Sequence, residues 1–148
     1  MNEAFVSLNP LSLRPRWLVV DDNPHLARLV AMVLRRMNAA EVEEYQSAWE
    51  AMQAFQAKAQ EYELIVTDLD MPEMSGLELA TQARALNPEI KILLITGRKE
   101  QVDGEKLRRA GIRRLLGKPF DLGELAAMVN AMRQDPATAD SVKNLQAA

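Results

Sequence analysis

The sequence predicts an open, doubly wound α/β sheet of five parallel strands, with helices on both faces in three αβα layers. Short runs rich in Val, Ile and Leu alternate with helix-period segments along most of the chain, as repeated βα units do. Several of these runs are nearly continuous, the pattern of strands buried on both faces. Acidic residues stand directly after the first and third runs, where open parallel sheets hold their ligands.

The strands are expected at Trp17–Val20, Val42–Tyr45, Leu64–Thr67, Ile92–Ile95 and Arg114–Leu116. In the first helix Leu26, Leu29, Val30, Val33, Leu34 and Met37 form one apolar stripe, and Leu122, Leu125, Ala126, Val129 and Met132 do so in the last. On the second helix Ala48, Met52, Phe55 and Ala59 read as core, with Trp49 beside them and partly exposed. Ser47 with Glu50, Ser75 with Glu78, and Asp121 with Glu124 mark three helix starts, each a capping oxygen three residues before a carboxylate that reaches back. Pro24 at a first helical position marks a fourth. Residues 1–15 read as an N-terminal extension, 16–133 as the domain, and 134–148 as a tail or linker remnant with room for a short helix.

A chain of 148 residues fits one domain with a real core and leaves no room for a separate output module. Hydrophobic residues at 48% and charged residues at 26% are ordinary for a globular protein. No apolar run approaches the ~20 residues of a membrane-spanning helix, and the first residues do not form a secretory signal. Cysteine is absent, which excludes disulfides and thiolate metal sites; a cytoplasmic location is the expectation. The net charge of −3 is uneven. Between Arg98 and Lys118 eight basic residues face three acids, leaving +5 in that stretch and −8 elsewhere, a local field that attracts acidic partners. The stretch has no aromatic residue for base stacking, so direct nucleic-acid binding is not expected. His25, the single histidine, falls in the first turn of a helix and reads as a surface residue.

Asp21 and Asp22 follow the first strand, and Asp68 follows the third. With strand order 2-1-3-4-5 these two strands are neighbours where the order reverses, and the acids share one pocket. Each close carboxylate pair costs about 1 kcal/mol in water and about 4 kcal/mol at an effective dielectric near 20. One lysine does not offset that; a hard divalent cation does, and an oxygen-only donor set suits Mg²⁺. Thr96 at the end of the fourth strand brings a hydroxyl to the same rim, and Lys118 after the fifth brings an ammonium. A nucleophile, a metal, a hydroxyl and a cation suffice for phosphoryl transfer, which asks mainly for positioning and charge neutralisation. Asp68 stands alone at its strand end and reads as the nucleophile, with Asp21 and Asp22 as a metal-holding pair. Taken singly, each feature reads as a turn, a helix cap or a strand exit; only the constellation points to chemistry.

Val19-Val20-Asp21-Asp22, then Ile65-Val66-Thr67-Asp68-Leu69-Asp70-Met71-Pro72 with Ser75-Gly76, then Ile95-Thr96-Gly97 and Lys118-Pro119-Phe120, stand in that order. This ordered set resembles the response-regulator receiver family, whose minimal example is the stand-alone chemotaxis regulator, and the likeness covers about residues 16–133. The resemblance implies a flavodoxin-like fold and a two-component signalling switch, phosphorylated on Asp68 in a Mg²⁺-dependent reaction by a histidine kinase or phosphotransfer protein. It implies Mg²⁺ ligation by Asp21, Asp22, Asp68 and the backbone carbonyl of Asp70. Thr96 becomes the switch hydroxyl and Lys118 the phosphate-binding cation, with a cis Lys118-Pro119 bond. A downstream protein target, and a homodimer, fit the same resemblance; no membrane partner is expected.

Two departures from the family pattern stand out. Leu115 occupies a fifth-strand position usually held by Tyr or Phe, and Asp70 and Arg98 stand two residues after Asp68 and Thr96. Asp70 and Arg98 are expected to pair across the pocket mouth. The output is expected on the fourth helix and fifth strand, bracketed by Arg108, Arg109, Arg113 and Arg114. The enzymatic rival is a phosphatase of the haloacid-dehalogenase type, since Asp68-Leu69-Asp70 after a strand also suits its nucleophile and acid. That family places its metal acids after the nucleophile, whereas Asp21 and Asp22 precede it. A phosphorylation-independent adaptor on the same fold is the other alternative.

Overall fold

A computed structural model describes residues 14–135. The helix expected in the tail lies outside the described residues. The strands are β1 (Arg16–Val20), β2 (Glu41–Tyr45), β3 (Tyr62–Asp68), β4 (Lys91–Thr96) and β5 (Arg114–Gly117). The helices are α1 (Pro24–Arg36), α2 (Ala48–Ala57), α3 (Gly76–Leu86), α4 (Gly104–Ala110) and α5 (Leu122–Gln134). All pairings are parallel, and the strand order is β2-β1-β3-β4-β5. The predicted fold is therefore the observed one, with β3, β4 and β5 each running on to Asp68, Thr96 and Gly117.

Side chains alternate between the two faces of the sheet, and each face buries its own cluster. Trp17, Val19, Leu64, Val66, Leu93, Ile95 and Leu116 pack beneath α1 and α5. Leu18, Val20, Ile65, Ile92, Leu94 and Leu115 pack beneath α2, α3 and α4. Each fully buried aliphatic side chain contributes about 1.5–3 kcal/mol, so these central strands form a rigid frame whose upper ends carry the polar residues. Among the described residues no helix is long and apolar enough to cross a membrane.

The helix starts follow their caps. Ser75 and Asp121 form full capping boxes with Glu78 and Glu124, whereas Ser47 accepts from the Glu50 amide without the return bond. Asn23 accepts from the His25 and Leu26 amides, with Pro24 opening α1. A further start, Asp103 accepting from the Glu105 amide, was not among the predicted ones. The apolar stripes need three corrections. The buried line of α1 runs through Ala27, Val30, Ala31 and Leu34, while Leu29 is 37% exposed. Leu122, the first residue of α5, is 43% exposed. Ala59 sits in a short 3₁₀ turn after α2 and is only half-buried. Small alanines let α1 approach the sheet closely, and the longer flanking side chains are displaced toward its edges. Trp49 is 58% exposed and His25 is exposed.

Gly76 is where α3 comes closest to the sheet. A Cβ there would collide with the backbone oxygen of Asp68, and it would lie 2.8 Å from Leu94 Cδ1. Gly97, by contrast, has open space around its Cα. Gly76→Ala is expected to lower unfolding free energy in urea by about 1–3 kcal/mol through overpacking, and Gly97→Ala to change it by less than about 0.5 kcal/mol.

Candidate functional site

The upper ends of β1, β3, β4 and β5 converge on one pocket. Asp21 follows β1, and its amide donates to the Tyr45 carbonyl (3.1 Å) across the β2 neighbour. The Asp21 side chain is buried and accepts from the Asn23 amide at 2.9 Å; the same Asn23 caps α1, so one turn fixes both the acid and the helix. Asp68 ends β3 at 7% exposure. The Thr67 hydroxyl donates to the Asp68 carbonyl at 2.9 Å, and the Leu69 amide donates to the Ile95 carbonyl at 3.1 Å. Thr67 and Gly76 thus hold the Asp68 backbone. Gly76 belongs to the quoted motif, but close packing against the Asp68 carbonyl is not visible in sequence.

Carboxylate oxygens of Asp21, Asp22 and Asp68 lie within 4.8 Å of one another. Lys118 Nζ stands 3.1 Å from Asp68 Oδ1 and 3.7 Å from Asp21 Oδ2. Burial pushes the Asp68 carboxyl above the ordinary carboxylate range, and the Lys118 hydrogen bond and charge pull it back. Burial also raises Asp21, opposed by the Asn23 amide and reinforced by the negative charge of Asp68. The set therefore offers several oxygen donors and too little positive charge of its own. With neither nitrogen nor sulfur ligands, it fits a hard cation such as Mg²⁺.

Thr96 is fully buried at the end of β4, and its hydroxyl oxygen accepts from the Arg98 amide at 2.9 Å. The hydroxyl proton remains available to donate. The Lys118 amide donates to the Thr96 carbonyl at 2.8 Å, tying the hydroxyl and the ammonium into one strand pair. The Lys118-Pro119 bond is cis, as expected from the resemblance. Asp70 turns its carboxylate outward to Arg98, with Oδ1 2.9 Å from Nη2 and Oδ2 3.1 Å from Nε. The expected pairing across the mouth is present.

The basic face differs from expectation. Arg108 and Arg109 are exposed and share Glu105, whereas Arg113 is 5% exposed. Arg114 is turned to Asp135 at 2.6 Å. The start of β5 draws both of these arginines inward, which leaves α4 to carry the exposed positive charge.

A parallel sheet of this order, with an acidic cluster, a hydroxyl and a lysine at its switch point, is a doubly wound α/β domain with its polar site where such sheets hold ligands. The family model for the response regulator receiver domain matches residues 17–130, and the chain belongs to that family. It is 34% identical over 105 residues to Chemotaxis protein CheY1 of Helicobacter pylori, covering 70% of this chain and 84% of that protein. It is 34% identical over 128 residues to the Probable transcriptional regulatory protein TcrX of Mycobacterium tuberculosis, covering 84% of this chain but only 53% of that one. Among solved structures it resembles Vibrio cholerae chemotaxis protein CheY4, with a TM-score of 0.72 at 24% identity over 80% of this chain and 98% of that one. It also resembles Thermotoga maritima response regulator TrrA in complex with Mg²⁺-BeF, with a TM-score of 0.69 at 28% identity over 80% and 98% of the two chains. The protein is thus a receiver domain of the two-component type, a signalling domain by family.

The electrostatics of the cluster set a measurable sign. In EDTA, Asp21→Asn is expected to raise stability by about 1 kcal/mol by removing repulsion, since an amide oxygen still accepts from Asn23. In excess MgCl₂ the order should reverse, because ion binding stabilises only a chain that keeps its ligands. Thermal melts of both proteins with and without Mg²⁺ measure it, and a parent indifferent to Mg²⁺ contradicts it.

Proposed function

We propose that this receiver accepts a phosphoryl group on Asp68 from the phosphohistidine of a histidine kinase or phosphotransfer protein, and signals through the loop and helix that follow β4. An Asp68 carboxylate oxygen attacks phosphorus as the bond to the donor nitrogen breaks. The product is an acyl phosphate that water later hydrolyses, returning the carboxylate and inorganic phosphate. The observation that carries the reading is the convergence of Asp21, Asp22 and Asp68 within 4.8 Å beside Lys118.

Asp21, Asp22 and Asp68, with the backbone carbonyl of Asp70, are the residues to hold Mg²⁺. When bound, the ion supplies charge neutralisation at the phosphoryl oxygens. Lys118, already 3.1 Å from Asp68, neutralises the phosphoryl group from the opposite strand. The Thr96 hydroxyl donates a hydrogen bond to it, drawing along the loop that its oxygen holds through Arg98. Charge-assisted bonds of this kind are the stronger class, and a few kcal/mol of them suffices to shift a two-state equilibrium.

The TrrA structure is a complex with Mg²⁺-BeF, and the chain is 34% identical over 119 residues to Hybrid signal transduction histidine kinase D of Dictyostelium discoideum, spanning 7% of that protein. Both support the proposed cofactor and donor. The phosphatase alternative needs Asp70 as a proton donor, yet its carboxylate is committed to Arg98. Leu115 is 6% exposed and packs in the core beneath α4, so no β5 aromatic swings here; the β4–α4 loop carries the change instead. The adaptor alternative draws on the same leucine and is separated from the switch by the phosphorylation assay.

Intact mass after incubation with acetyl phosphate should rise by one phosphoryl group, only with Mg²⁺ and not in Asp68→Asn. Sustained turnover of an aryl phosphate would instead indicate a phosphatase, and a chain that takes no label would indicate the adaptor. Asp70→Asn and Arg98→Ala, which open the pocket mouth, should each change the acyl-phosphate lifetime several-fold; unchanged lifetimes remove that role. Beryllofluoride should shift the amide resonances of residues 97–114, and an unmoved segment contradicts the loop-and-helix output.

A further inference from the structure

The geometry points to a second interaction site: the groove between the start of α3 and the β4–α4 connection docks a partner-protein segment that presents an apolar anchor flanked by acidic residues. The groove encloses about 160 Å³. This is smaller than the ~300 Å³ lower bound of usual small-molecule pockets, a size suited to one inserted side chain. Its floor is Leu69, Leu77 and Val102. Leu69 is buried, and Leu77 and Val102 are half-buried where they pack on the core under α2, α3 and α4, so the floor is apolar.

The charge around this floor selects the flanking residues. Arg98 and Lys106 line it. Lys106 is exposed and forms no ion pair with any described residue, whereas its neighbours Arg108 and Arg109 are both engaged by Glu105. The acid on the lining, Asp103, has its carboxylate turned to the Glu105 amide at 2.9 Å as the cap of α4. A lysine with no ion pair among the described residues, beside an apolar floor and on a helix whose exposed Lys106, Arg108 and Arg109 outnumber its one acid, Glu105, is complementary to an acidic, apolar-anchored segment. A small apolar anchor in a desolvated pocket with charged groups at the rim is the arrangement of an interface hot spot.

The groove touches the phosphoryl site through two walls, since Leu69 follows Asp68 and Arg98 is held by Asp70. Docking to the unmodified chain is independent of phosphoryl transfer; only its modulation by phosphorylation rests on the function proposed above.

The test uses the full-length ¹⁵N-labelled chain and two short synthetic peptides with the same Leu-Phe centre, one flanked by Glu and one by Lys. The Glu-flanked peptide should saturably shift the amides of Leu77, Val102 and Lys106, and the Lys-flanked peptide should bind about tenfold more weakly. Lys106→Glu, a surface change that leaves the fold intact, should reverse that preference. Val102→Asp should abolish binding of the Glu-flanked peptide. Equal affinity for the two peptides, shifts centred on Arg108 and Arg109, an unchanged preference in Lys106→Glu, or no saturable response each overturns the inference.

Discussion

The structure turns on three carboxylates held together against their mutual repulsion. Asp21 and Asp68 are fixed by backbone, not by attraction for one another or for Asp22. The Asn23 turn holds Asp21, and the Thr67 hydroxyl and the close-packed Gly76 hold the backbone of Asp68. Lys118 offsets part of the charge. The remainder, a few kcal/mol at an effective dielectric near 20, is carried by a sheet whose buried strands contribute far more. A site kept short of positive charge responds strongly to any cation that enters it.

The strand ends around the site are joined to one another. β4 and β5 are joined at their upper ends by the Lys118 amide on the Thr96 carbonyl, and β3 joins β4 through the Leu69 amide on the Ile95 carbonyl. These strand ends are anchored by buried core residues. Beyond β4 the loop is held by Arg98 on the Thr96 hydroxyl and on Asp70, and by a 3₁₀ turn in which the Gln101 and Val102 amides donate to the Arg98 and Lys99 carbonyls. Elements with many buried contacts stay fixed, and exposed loops with few bonds move first. Leu115 is sealed in the core beneath α4.

Charge distribution fits the same division. At the lower end of the sheet Arg114 is drawn to Asp135 and Arg113 is buried, so the positive residues there consolidate the junction of β5 and α5. The exposed positive charge of this stretch lies on α4 and the loop before it. The pairing of Asp70 with Arg98 joins the loop that follows β3 to the loop that follows β4.

The sequence by itself determined the architecture, the order of the elements and the identity of the acidic, hydroxyl and lysine residues. Strand-length apolar runs, helix caps such as Ser75 and Asp121, and acids at strand ends are local signals, and each survives without knowledge of its neighbours. It also anticipated the Asp70–Arg98 pair, because two loop positions flanking one pocket carried opposite charges. Tertiary structure alone decided which face each helix buries, since Leu29 and Leu122 satisfy the helical period yet are left exposed. It decided that Arg113 and Arg114 turn inward, that Gly76 must lack a side chain beside the Asp68 carbonyl, and that Leu69, Leu77 and Val102 share a groove with Lys106. These are properties of distance between segments remote in the chain, and periodicity along one segment carries no information about them.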